Sequence, residues 1–199
     1  MNKMYVALIV LAITVGLGNS VANAAPYASG NLGFVMLKSS DIDVPGIDKL
    51  SYEGGFGIFG SVGNEFDNGL RTEVELSYQE NSTDDLDVDG ENIDVDGDIA
   101  ETTLMLNVFY DFNDFDMYLK PFVGAGVGYS NIELDLDDIG SEDDDVFSYQ
   151  LSVGTAIALS PRKRVDIQFR YVGTDDPKLG GSDVEYTAIN LMVGFRHSF

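Results

Sequence analysis

The feature that most constrains this chain is a period of two. From Leu70 to Gln79, Leu70, Thr72, Val74, Leu76 and Tyr78 share one face of an extended chain. Arg71, Glu73, Glu75, Ser77 and Gln79 share the other. Phe147 to Leu159 repeats the pattern, with Phe147, Tyr149, Leu151, Val153, Ile157 and Leu159 opposite Ser148, Gln150, Ser152, Gly154, Ala156 and Ala158. Val165, Ile167, Phe169 and Tyr171 likewise oppose Asp166, Gln168 and Arg170. Such runs predict eight strands, at roughly 27–37, 50–63, 70–80, 100–112, 117–130, 146–160, 164–173 and 185–199.

The connections alternate in kind. Short turns (Asn64 to Gly69, Asn113 to Asp116, Ser160 to Lys163) join strands 2–3, 4–5 and 6–7. Long acidic segments join strands 1–2, 3–4, 5–6 and 7–8. Of 34 acidic residues, 25 fall within 38–49, 80–101, 130–146 and 173–185, so the net charge of -23 belongs to the loops. Such a surface repels phosphates, which excludes nucleic acid as a partner.

Two architectures satisfy a two-faced strand. A soluble sandwich or lipocalin-like barrel turns its apolar face inward. A transmembrane barrel turns it out to lipid and fills a narrow lumen with polar and small side chains. Here the polar face is rich in Gly, Ala and Ser, the apolar face is bulky, and many strands carry Tyr or Phe near their ends. Strands of about 10 residues cross a bilayer when tilted. The expectation is an all-β, eight-stranded antiparallel up-and-down transmembrane β-barrel.

Residues 1–24 read as a cleaved signal peptide ahead of a barrel over 25–199. Lys3 is its positive start, Val6 to Val15 an apolar run broken by Thr14, and Ala22-Asn23-Ala24 an A-x-A cleavage site. That run is too short for a helical span, which needs about 20 apolar residues, and no later segment is longer. The chain has no Cys, which removes disulfides, zinc thiolates and thiol nucleophiles.

The last strand alternates large residues through Ile189, Leu191, Val193 and Phe195 to a terminal Phe199, with His197 at a position usually aromatic or aliphatic. Lys120-Pro121-Phe122-Val123-Gly124-Ala125-Gly126-Val127-Gly128-Tyr129 forms a Pro-aromatic-x-Gly-x-Gly-x-Gly strand. With these features the mature chain resembles the outer membrane protein beta-barrel domain family, one of the OmpA-like small barrels. The resemblance implies insertion in a Gram-negative outer membrane with both termini periplasmic, contact with lipopolysaccharide, and delivery by the barrel-assembly machinery through Phe199.

If the apolar face meets lipid, the lumen receives Glu53, Arg71, Glu73, Glu75, Glu101, Lys120, Asp166, Arg170 and Arg196. Buried charges persist when paired, so these nine are expected to form an ion-pair plug, with a narrow pore as the alternative. In the second loop Asp85, Asp87 and Asp89 match the first, third and fifth positions of a Ca²⁺ loop, Gly90 the sixth and Asp96 the twelfth. The bidentate Glu, the apolar eighth residue (Asn92 instead) and flanking helices are missing, so a solvated acidic loop competes with weak Ca²⁺ binding.

Enzymatic activity is not expected. The lone His197 lies at a strand end, and its neighbour Ser198 faces the opposite way. Arg162, Lys163 and Arg164 make the one basic cluster, in a turn suited to phospholipid headgroups. The leading functional reading is a non-catalytic surface protein that supports envelope integrity or contacts the exterior through acidic, divalent-binding loops. A small cation-preferring porin is the alternative, and an outer-membrane lipid-modifying enzyme a remote one.

Overall fold

The computed structural model describes residues 24–37, 47–52, 54–88, 91–94, 97–113, 118–136, 140–175, 178–179, 182–183 and 187–199. Eight long strands dominate: β1 (Ala24–Leu37), β2 (Gly55–Phe66), β3 (Leu70–Val88), β4 (Gly97–Asp111), β5 (Leu119–Leu136), β6 (Gly140–Ser160), β7 (Lys163–Thr174) and β8 (Thr187–Ser198). Each pairs antiparallel with its neighbour in sequence, and β1 pairs with β8, so the sheet closes without an edge.

The ladders fix the size of the barrel. Crossing from Glu65 on β2 through Arg71, Phe109, Gly124, Ser152, Arg170, Asn190 and Val35 returns to β2 at Gly55, ten residues away (65 minus 55). A shear of ten over eight strands implies a tilt of about 40° and a backbone radius of about 8 Å, enough for side chains and no wide channel.

The faces are inverted relative to a soluble protein. Leu32, Ile58, Leu76, Val127, Leu151, Phe169, Leu191 and Val193 are exposed on the outside, while the buried class is dominated by Ser, Thr, Asn, Gln, Glu and Arg. Aromatic pairs stand at both margins of the exterior: Phe34–Phe56 and Tyr129–Phe147 toward the loops, Tyr110–Phe112 and His197–Phe199 toward the turns. Among the described residues no helix is long and apolar enough to cross a membrane.

Strand lengths differ from the sequence expectation at the loop end. β3 runs to Val88 instead of stopping near 80, and β5 and β6 extend through most of the acidic 130–146 segment to Leu136 and Gly140. Residues 50–52, expected to begin the second strand, belong instead to a separate short strand, Ile47–Tyr52, paired with the far part of β3. High charge suggested loops, but Ile132, Leu134 and Leu136 keep the period of two. A charged segment in water can hold a ladder, so acidity alone does not end a strand. At the other end the turns are tight: Gly69, at φ 86°, donates to Phe66 O at 3.0 Å, and Pro161-Arg162 alone separate β6 from β7.

Candidate functional site

The period of two aims a column of large polar side chains into the lumen, and glycines on adjacent strands make room for them. Met105, Asn107 and Phe109 of β4 lie directly opposite Gly128, Gly126 and Gly124 of β5. A Cβ at Gly126 would collide with Asn107 Oδ1, and one at Gly124 with the Phe109 ring. The Gly-x-Gly-x-Gly motif therefore serves packing inside the barrel.

From the turn end, the lumen begins with a rim pair, Arg164 Nη1 to Glu65 Oε2 at 2.5 Å. Above it Arg71 donates through Nε to both Asp111 oxygens, at 3.0 and 2.9 Å. Arg196 reaches Asp111 at 3.5 Å and Asp166 at 3.0 Å. Tyr27 OH donates to Glu73 at 2.6 Å, Ser61 donates to the same oxygen at 3.0 Å, and Asn107 donates to the other at 3.1 Å. Arg71 stacks on Phe109 and Phe122, 4.5 and 5.2 Å from their ring centroids. These guanidinium–aromatic contacts explain why three Phe, including Phe59 beside Arg170 at 5.1 Å, face inward.

Higher in the lumen, Arg170 grips Glu75 with two bonds of 2.7 and 2.8 Å. Glu101 follows, held by Gln79, Thr103 and Ser130. An apolar layer of Val35, Ile99, Ile132, Val146, Val172 and Ala188, from six strands, then crosses the lumen at its loop end. Among the described residues, five buried carboxylates (Glu73, Glu75, Glu101, Asp111, Asp166) face three buried guanidiniums (Arg71, Arg170, Arg196).

Of the nine residues expected in the lumen, Arg71, Glu73, Glu75, Glu101, Asp166, Arg170 and Arg196 are buried there. Lys120 is only half-buried, sits at the turn end, and lies 3.5 Å from Asn113 Oδ1 instead of a lumenal carboxylate. Glu53 lies outside the described residues, as do the side chains of Asp85 and Asp87 and all of Asp89 and Asp96. Asp111 and Tyr27 were missed. Asp111 continues the inward series Glu101, Thr103, Met105, Asn107, Phe109, and that parity was the signal that could have found it.

Outside, just beyond the loop-end aromatic margin, stand the exposed carboxylates of Glu80, Asp98, Glu133, Asp143 and Asp145. Asn131 donates to both Asp143 and Asp145, at 3.2 and 3.1 Å, and Tyr78 OH to Glu80 at 2.5 Å. His197 contacts Phe199 edge-on at 5.1 Å. Phe199 N donates to Pro26 O at 2.9 Å, which ties the last residue to β1.

A closed eight-stranded barrel with a polar, charge-filled lumen and a lipophilic exterior is the architecture of a small integral membrane barrel. The chain belongs to the outer membrane protein beta-barrel domain family, whose profile matches residues 6–196, and it is accordingly an integral protein of the outer membrane. No curated protein matches its sequence. Among solved structures it is similar to Neisserial surface protein A (17% identity, TM-score 0.63), with 88% of this chain and 99% of that one covered. It is also similar to OprG of Pseudomonas aeruginosa (16%, 0.57, 89% and 97% covered). A third is Ail, the attachment invasion locus protein of Yersinia pestis, in complex with the heparin analogue sucrose octasulfate (18%, 0.52, 87% and 99% covered). At these identities the likeness is one of fold.

Proposed function

We propose that this barrel is a non-catalytic surface protein, loops outward and termini in the periplasm, that engages the lipopolysaccharide headgroup layer through its acidic ledge. Divalent cations are the mediator: they bridge the carboxylates of Glu133, Asp143 and Asp145, and of the neighbouring Asp-rich segments, to lipopolysaccharide phosphates that otherwise repel them. The observation that carries this reading is the position of those side chains. They are exposed and outward, immediately past Tyr129 and Phe147, aromatic residues of the kind that border the apolar band of such barrels. A polyanion such as the heparin analogue bound by Ail is the ligand this surface would reject. Proteolysis in lipopolysaccharide-containing proteoliposomes tests the reading. Chelation should speed cleavage within 130–146 several-fold; identical cleavage with and without chelator overturns it.

The loop-end acidic excess also favours cations at a pore mouth, which is the porin reading. The apolar layer across the lumen weighs against it, since desolvating an ion there is costly.

A further inference from the structure

We propose that the oxygen nest around Glu101 is a binding site for a small monovalent metal cation of sodium type. Glu101 is fully buried at 1% exposure, yet its hydrogen-bond partners among the described residues are Gln79, Thr103 and Ser130, none of them a base. The lumenal guanidiniums are committed elsewhere: Arg170 to Glu75, Arg71 to Asp111, Arg196 to Asp111 and Asp166. The apolar layer seals the nest from the loop side, and Ile132, one of its members, stands directly across the ladder from Glu101. A buried charge without a partner is costly, so such a group is paired, given a metal or neutralised by a proton.

Hydrogen counting points the same way. Thr103 Oγ1 and Ser130 Oγ each lie 2.6 Å from Glu101 Oε1 and 2.7 Å from one another, while Ser130 Oγ lies 2.5 Å from Ser148 Oγ. With Glu101 ionised, these four contacts share three hydroxyl hydrogens, because the carboxylate brings none. One contact is therefore a meeting of bare oxygens, which a cation converts from repulsion to coordination. The hydrogen-bond chain leads on to a further oxygen. Gln79, which donates to Glu101, accepts from Asn190 Nδ2 at 3.2 Å, and the other atom of that amide, Asn190 Oδ1, is buried with no donor. Carboxylate, hydroxyl and amide oxygens around one negative charge suit a hard monocation.

The mature chain refolded in detergent is melted in sodium chloride and in choline chloride at equal ionic strength. The site predicts a midpoint several degrees higher in sodium. Glu101→Gln should abolish that difference, while Glu75→Gln, which removes an Arg-paired carboxylate, should keep it at a lower midpoint. Equal midpoints in the two salts overturn the proposal, and so does a sodium effect that survives in Glu101→Gln. A midpoint that follows pH but not sodium assigns the charge to a proton and also overturns it. Should Glu101→Gln fail to refold, sodium NMR on the wild-type protein gives an independent reading. Saturable line broadening that Ser148→Ala weakens supports the site, and linewidths equal to a detergent blank overturn it.

Discussion

At the residue scale, the lumenal pairs are individually replaceable as units and intolerant of halving. Arg170 and Glu75 meet with two bonds in a space where both are 2% exposed. Removing one partner strands the other, so Arg170→Met should destabilise the barrel by about 3–5 kcal/mol. Arg170→Met combined with Glu75→Leu should recover most of that loss, because the desolvation cost of both charges disappears with them. Urea unfolding followed by gel mobility separates the outcomes, and a double variant as weak as the single would refute the argument. The sequence made the lumenal parity of Arg170 and Glu75 legible, since each opposes an apolar neighbour on its own strand. Their partnership was not legible: they lie 95 residues apart on β7 and β3, joined across the lumen by side-chain reach.

At the scale of elements, glycines separate into two kinds that composition cannot distinguish. Gly126 faces inward beneath Asn107, whereas Gly30 and Gly60 face outward and a Cβ at either meets nothing within 4 Å. Gly126→Ala should therefore cost about 1–3 kcal/mol by overpacking. Gly30→Ala should be neutral or slightly stabilising, since it only narrows the unfolded ensemble. Denaturant midpoints of the two variants check the contrast. The terminal element carries a second prediction. Phe199 is exposed at the turn-end margin, so Phe199→Ala should leave the stability of refolded barrel unchanged while lowering assembled protein in cells several-fold. Equal cellular yield would overturn the expectation that Phe199 acts as an assembly signal.

At the scale of the molecule, charge and packing divide the barrel into two ends. Acidic side chains crowd the loop end, whereas the turn end has Arg164 paired with Glu65 and an exposed Arg162 and Lys163. Between them the lumen is filled by ion pairs, aromatic rings and an apolar layer. Planar bilayers containing the refolded protein should stay electrically silent. Discrete cation-selective steps would mean that the layer of Val35, Ile99, Ile132, Val146, Val172 and Ala188 opens, and would favour the porin reading.

The sequence by itself determined the class of fold, because a strand's two faces alternate strictly and a lipid exterior demands that the bulky face point out. It also determined the strand count and the alternation of short and long connections, both of which are local in the chain. It misjudged where β3 and β5 end and where β6 begins, since charge was taken for a loop where the alternation of Ile132, Leu134 and Leu136 still held. What only the tertiary structure decided are relations across the lumen: that Lys120 stays at the turn end, that Asp111 joins two arginines, and that Glu101 has no basic partner among the described residues. These depend on a closure that sets Glu65 ten residues from Gly55 around the ring. That stagger is a property of all eight ladders together, and no single strand carries it.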